Sequence, residues 1–422
     1  MSEEMKRPEM DDGLQPIKPV PEEPTPDPVQ TPLEGAAEPP NDETAAPQSS
    51  DPSPTDAPVP PEESPAAPPA QPRKVKSRRR VLAGFAVRLV CFTVLLTAIL
   101  IYGAYVLTPK HEYGICPMMN LYRQPRNSVD VLTIGSSLAY TGVNTNVLWQ
   151  EYGLACYNLC AAEQPFWFTY YQLREALRYQ RPQLILMDAK AAVYTRDYSM
   201  RGRTILSSFG IMNPDNRVGA IVASQKNLQK AMGFIWAYPE VHNNYKDVTW
   251  QDFVFPPDNQ GRGVHWKGYI ETDQVESHDA PYVSRGAGKA KINARQAEYA
   301  RKIIELAQAE GIPLLVIAFP NPDYGNDVLH YNALWSIAEE YGVDAVDYND
   351  YKLNLDLDYF SDFADWQHLN VKGSMKFSVR LGRDLKAAYD LPDRRADPAY
   401  ASYQQAAQEW YDRLYTFTTA PQ

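Results

Sequence analysis

Hydrophobic and polar positions divide this chain into three stretches of different character. Residues 1–72 carry no apolar period; short polar runs are broken by proline every few positions. Residues 89–107 are the opposite, 19 consecutive positions without a charge. Beyond them, apolar runs of strand length alternate with segments of helical period. The runs at 130–136 (DVLTIGS), 155–159 (ACYNL), 183–188 (QLILMD), 313–319 (PLLVIAF) and 344–347 (DAVD) predict five strands. Their near-continuous apolar character is that of strands buried on both faces, as in parallel sheets. Apolar residues recur at helical spacing over 165–179, 292–310, 328–341 and 371–389, with Gly311 and Gly342 as stops after two of these segments. Strands alternating with helices predict a parallel sheet covered by helices on both faces. Ligands on such sheets bind beyond the carboxyl ends of the strands.

The alternation is interrupted at about 194–290, a polar, aromatic-rich stretch containing several Gly and Pro. An insertion of this length in a compact domain is usually functional, and the expectation is a cap over the strand ends. Residues 391–422 form a C-terminal extension with a short helix predicted near 400–415.

Composition sharpens the N-terminal division. Of 36 prolines, 20 lie in residues 1–72, together with 16 acids, three bases and no aromatic residue. Such a stretch cannot bury a core, and proline blocks helix and sheet alike. It is expected to be a disordered, polyproline-leaning tail, either a ligand for a partner domain or a solvated spacer. Residues 73–88 then hold seven Lys/Arg and no acid. The uncharged run that follows is long enough for a bilayer core of about 30 Å. Arg88 can snorkel to one interface, while Tyr102 and Tyr105 fall near the other. The run is longer than a signal-peptide core and sits behind a long extension, so an uncleaved anchor spanning 73–107 is expected. The positive-inside rule places the bases of 73–80 in the cytoplasm and the domain at 108–390 outside the cell. The net charge of −11 therefore belongs largely to the tail. Because the bases form one short run and no broad face, nucleic acid is not an expected partner.

Of the four cysteines, Cys91 lies in the apolar run; Cys116, Cys156 and Cys160 lie beyond it. One bridge from Cys116 to either of the others, or three reduced thiols, are both compatible with that number. No His/Cys cluster has metal-ligand spacing, and no cofactor is expected.

Two places can carry chemistry. Gly135-Ser136-Ser137 directly follows the first strand and opens toward a helix, where backbone N–H groups can face a developing oxyanion; a serine there is also a good helix cap. Asp365-Trp366-Gln367-His368 precedes the last helix of the alternation. An Asp three residues before a His can hold the imidazole by one nitrogen and leave the other as a base.

In this order and at these positions, the two segments resemble the SGNH/GDSL hydrolase superfamily over roughly 128–388. The Gly-Ser-Ser variant and the anchor are most similar to the membrane-anchored branch with the lipoteichoic-acid D-alanylation protein and the alginate O-acetylation proteins. The resemblance implies a flavodoxin-like three-layer α/β sandwich around a five-stranded parallel sheet. It implies Ser137 as nucleophile, His368 as general base and Asp365 as the residue that orients it. The oxyanion candidates are Ser136 and Leu138 at the serine turn, Cys160 where the family usually has Gly in YNLCAAEQP, and Gln164. The family's third block, Gly-x-Asn-Asp after strand three, is replaced by MDAKAA, which leaves one oxyanion donor unassigned. Lys190 is a substitute candidate there. Weaker substrate candidates are His242 in YPEVHNNYKDVTWQDF, His265 and Lys267 in HWKGY, and Asn321 in PNPDY, where turn formation is the competing role.

The function implied is acyl transfer to, or hydrolysis from, O-acyl groups of a cell-surface polysaccharide or teichoic acid, alongside a membrane-bound O-acyltransferase. The alternative is a non-catalytic scaffold that binds a glycan or escorts that acyltransferase. A peptidase is the poorer fit to this strand order.

Overall fold

Five strands, β1 (Val131–Gly135), β2 (Cys156–Cys160), β3 (Leu184–Asp188), β4 (Leu314–Ala318) and β5 (Asp344–Asp347), form one sheet. All are parallel, in the order β2-β1-β3-β4-β5. This is the flavodoxin-like order, which reverses at β1/β3 and opens a crevice there. The computed structural model describes residues 78–110, 113–254, 266–280 and 288–419; the expected disordered tail lies outside them.

Each central strand is buried along its whole length, and alternate residues feed two separate cores, as the period of two requires. Leu132, Ile134, Ile185, Met187 and Val316 pack with Phe166, Ile303 and Tyr331 on one face. Val131, Leu184, Leu186, Leu315 and Ile317 pack with Leu138, Leu148, Phe377 and Leu381 on the other. The first face carries helices predicted from sequence at 165–179, 292–310 and 328–341, which run over Phe166–Ala176, Ala294–Ala309 and Tyr324–Glu340. The other face carries Val371–Ala388, the short helix Ser137–Gly142 toward which the serine turn opens, and Thr145–Tyr152, which has no predicted counterpart. Fully burying a Leu or Phe side chain stabilises by about 1.5–3 kcal/mol, so these two cores dominate the energetics of the sandwich.

The two sheet edges differ. β5 is partly exposed, with Asp344 exposed and Asp347 buried. At β2, the Asn158 N–H donates to the Lys267 carbonyl at 2.9 Å. Gly268 lies so close that a Cβ there would come within 2.1 Å of the Asn158 carbonyl oxygen, and its φ is +84°. A glycine is therefore what lets this segment cover an otherwise open edge.

One helix, Arg78–Leu107 (α1), is long and apolar enough to cross a membrane; it is the one such helix among the described residues. Lys110 closes its end by donating to the Tyr105 carbonyl at 2.7 Å and the Val106 carbonyl at 3.1 Å, a favourable place for a cation. A further short helix, Ile115–Leu121 (α2), follows.

The insertion is built from short helical segments where it is described. It contains the helices Arg201–Ser208, Pro214–Ser224, Leu228–Trp236 and Tyr238–Val241 and two 3₁₀ segments, His242–Asp247 and Trp250–Phe253. Much of it packs beside the start of the folded domain. Ile205, Phe209, Ile221, Phe234 and Val241 form a core with Ala104 of α1 and with Ile115 and Met119 of α2. The insertion and α2 together cover the apolar end of α1. The C-terminal helix Ala401–Thr419 packs on Thr145–Tyr152, with Tyr400 and Tyr403 against Trp149. The described residues form no disulfide; Cys156 and Cys160 are buried in β2 and burial pushes both thiols up.

Candidate active site

Ser137 sits at the carboxyl end of β1, as the first residue of its short helix. Gly135 makes the turn possible. Its φ is +146°, and a Cβ would come within 2.3 Å of the Asp188 Cβ. Asp188, the last residue of β3, accepts hydrogen bonds from the Ser136 N–H at 2.9 Å, the Ser136 hydroxyl, and the Lys190 N–H at 2.9 Å. Burial holds its carboxyl above the ordinary carboxylate range, and these donors offset only part of that rise. The serine turn is thus clamped to the neighbouring strand.

The second half of the site is the loop before Val371–Ala388. An antiparallel bridge pairs Phe363 with Leu369, and the Ala364 N–H donates to the His368 carbonyl at 2.8 Å. This pinches 364–368 into a tight loop. Asn370 caps the following helix at Gly373 (3.0 Å), and its side-chain amide donates back to the Ser361 carbonyl at 2.9 Å. Gly373 leaves room for the loop, because a Cβ there would come within 2.1 Å of the Asp362 carbonyl oxygen.

The two halves meet in a chain of hydrogen bonds. His368 Nε2 is 2.8 Å from Ser137 Oγ. His368 Nδ1 lies 2.8 Å and 3.0 Å from the two Asp365 carboxylate oxygens. Asp365 also accepts from the backbone N–H groups of Gln367 at 2.8 Å and His368 at 2.9 Å. Partial burial alone raises its carboxyl, but the His368 ring and these N–H groups outweigh that and hold it at about 2. The carboxylate therefore stays ionised and fixes Nδ1 as the protonated nitrogen, leaving Nε2 as the acceptor that faces Ser137.

The other residues expected at the site divide sharply. The Ser136 N–H belongs to Asp188, which corrects its reading as an oxyanion donor. Leu138 N–H makes only a long 3.3 Å contact with Ser136 Oγ. Cys160 pairs in register with Gly135, beside the serine turn, and its thiol points 3.6 Å from the Thr133 carbonyl. Gln164 is buried and its amide donates to Thr169 at 3.1 Å. The Lys190 ammonium is buried in an ion pair with Asp327 at 2.6 Å, which corrects its reading as a substitute donor: a buried charge is held by its partner. Asn321 is buried; its backbone N–H donates to the Asn349 side-chain oxygen at 2.9 Å and its side-chain amide to the Phe319 carbonyl at 3.3 Å, a loop lock. Lys267 is buried against Gln124 and Ser402. His242 belongs to the layer beside α1, bonded to the Pro239 carbonyl at 2.9 Å. His265 lies outside the described residues.

Ser137 has one further neighbour of chemical interest. Tyr140, one helical turn after Ser137, places its hydroxyl beside the Ser137 side chain; burial first, then Tyr113 and Cys160, push the phenol up, so it stays protonated and able to donate. Tyr113 lies 6.3 Å away between ring centroids, and Arg203, paired to Glu163 at 2.8 Å, is near enough to act on Tyr140 electrostatically. The i, i+3 spacing from Ser137 was the available signal, since it puts both residues on one helix face.

No family model matches the chain, and a search of curated proteins finds no significant match.

Proposed function

We propose that this protein is a serine-dependent acyl transferase or esterase of SGNH type, acting at the outer face of a membrane on O-acyl groups of a cell-surface polysaccharide or teichoic acid. The observation that carries the reading is the unbroken hydrogen-bond chain Ser137–His368–Asp365, assembled from two segments 231 residues apart. A cap or a structural histidine does not need its second nitrogen aimed at a serine hydroxyl.

In this reading Ser137 Oγ attacks the acyl carbonyl carbon while His368 Nε2 takes the hydroxyl proton. Asp365 stabilises the imidazolium. The tetrahedral oxyanion collapses, the C–O bond to the donor breaks, and His368 returns the proton to the departing oxygen. The acyl group now rests on Ser137. A sugar hydroxyl, or water in the esterase case, attacks it, with His368 again taking and returning the proton. Leu138 N–H and the Tyr140 hydroxyl are the donors assigned to the oxyanion. The placement outside the cell rests on α1 and on the bases before it. The acyl donor in this reading is handed over by a membrane-bound O-acyltransferase.

The test is hydrolysis of a fluorogenic acetyl ester, and acetyl transfer to an oligosaccharide, by wild type beside Ser137→Ala and His368→Ala. Each variant is expected to lose about 10³-fold or more, with the double variant no worse than either, since the pair acts as one unit. Equal turnover in all three would sink the reading. A wild type that binds polysaccharide but turns over no ester would favour a scaffold.

A further inference from the structure

The helical layer that closes on the end of α1 leaves an apolar face uncovered. On Leu228–Trp236, the exposed residues Leu228, Met232 and Trp236 recur at every fourth position and form one stripe, while Ala231 and Phe234 face inward. The elements packed beside it expose Tyr238, Tyr245, Trp250, Phe253 and Val254. Trp250 is 70% exposed and Leu228 64%. Single exposed apolar residues are ordinary, but a set like this on adjoining elements marks an interaction surface.

The depth of this face is fixed by α1. The Tyr102 hydroxyl donates to the Phe253 carbonyl at 3.0 Å, the Tyr105 hydroxyl donates to the Val254 carbonyl, and Asn244 donates to the Leu107 carbonyl at 3.1 Å. The face therefore stands level with the last two turns of α1. Along α1 itself, Ile101 is still 66% exposed, whereas Ala104 and Val106 are buried, so the covered end is the last turn of the apolar run. The composition fits the same level: two Trp, two Tyr, a Phe, a Met, a Leu and a Val, with Lys226, Lys230 and Lys246 exposed around them. Of the acids on this stretch, Glu240 is paired to Arg201 and Asp252 to Lys110, while Asp247 is exposed beside Lys246. Amphipathic, Lys-flanked and aromatic surfaces of this kind lie in the headgroup and acyl-chain boundary of bilayers.

We propose that the face formed by 228–254 lies in the lipid interface of the leaflet in which α1 ends. It holds the folded unit against the membrane and does not leave it free at the end of a tether. This rests on the reading of α1 as a membrane span, and the experiment separates the two. The full chain is reconstituted in phosphatidylethanolamine/phosphatidylglycerol vesicles and labelled with an environment-sensitive fluorophore at one cysteine at a time. Native Cys91, exposed on α1, reports the span. In a Cys91→Ser background, Trp250→Cys and Met232→Cys report the face, and Tyr351→Cys, 76% exposed after β5, is the remote control. The remaining cysteines are buried. The expected result is loss of fluorescence to acyl-chain spin-labelled lipids at Cys91, Trp250→Cys and Met232→Cys, with no loss at Tyr351→Cys. Quenching at Cys91 with Trp250→Cys and Met232→Cys behaving like Tyr351→Cys would overturn the proposal, leave the span standing, and point to a protein cover. An unquenched Cys91 would overturn the span, and the proposal with it.

Discussion

Gly135 carries more of the site than any polar residue around it. Its φ of +146° is closed to L side chains, and the space where a Cβ would stand is filled by Asp188. Gly135→Ala must therefore move either the serine turn or the end of β3. The expected outcome is a loss of about 2–4 kcal/mol in stability, together with a fall in ester turnover in the protein that still folds, read by thermal melting and steady-state assay. Asp365 gives a residue-scale prediction in pH. Its folded value, about 2, lies below the ordinary 3.8. A carboxyl lowered in the fold contributes stability that is complete above the ordinary value and is lost as pH falls through the folded one. The stability gap between wild type and Asp365→Asn should be constant above pH 3.8 and close between there and pH 2. Melts at stepped pH check this, and a gap that is flat through the whole range would refute the assigned value.

At the scale of elements, the buried ion pair of Lys190 with Asp327 joins the end of β3 to Tyr324–Glu340. Asp327 also accepts from the Tyr331 hydroxyl at 3.1 Å. Removing one partner leaves the other charge buried and alone, at a cost of about 3–5 kcal/mol, whereas replacing both by apolar residues is often neutral. Lys190→Met should thus destabilise strongly and Lys190→Met with Asp327→Leu should recover most of the loss in denaturant melts; equal destabilisation by both would reject this account. The pair also shows what the sequence makes legible and what it does not. The five strands were readable because runs such as QLILMD and PLLVIAF are buried on both faces, and the sheet places them within a residue or so of the predicted bounds. Ser137, Asp365 and His368 were readable because their order and local spacing are themselves the signal. Lys190 was misread as a site residue because its partner stands 137 positions away, and no local pattern announces such a pairing. The extent of helix 137–142 and the whole of helix 145–152 escaped for a related reason: they are too short to show a period, and are held by caps from Ser136 and Asn144 and by packing.

Over the whole molecule, segments distant in sequence are stitched together around Lys267. Its ammonium donates to Gln124 after α2 at 2.9 Å and to Ser402 of the C-terminal helix at 2.8 Å, and it lies 4.4 Å over the Tyr403 ring. Its own carbonyl accepts from β2. The anchor side of the domain, the sheet edge and the C-terminal extension thus converge on one buried cation, which explains why a residue that resembles a glycan contact in sequence faces inward. Burial lowers its value from 10.5 to about 8, because polar neutral partners compensate the lost hydration only in part. The sign follows from proton binding. Between pH 8 and 10.5 the unfolded chain holds a proton on this lysine that the folded one has released, so its contribution to stability rises with pH in that window. Below pH 8 the penalty is present in full, at most roughly 3 kcal/mol. Lys267→Met keeps the length of the stem and removes the charge, while losing two hydrogen bonds to neutral groups of about 1 kcal/mol each. Relative to wild type, its stability should therefore be most favourable at neutral pH and fall steadily as pH passes from 8 to 10.5. Melting of the two proteins across pH 7–11 measures the difference directly, and a difference independent of pH would mean that the buried ammonium titrates as it does in the unfolded chain.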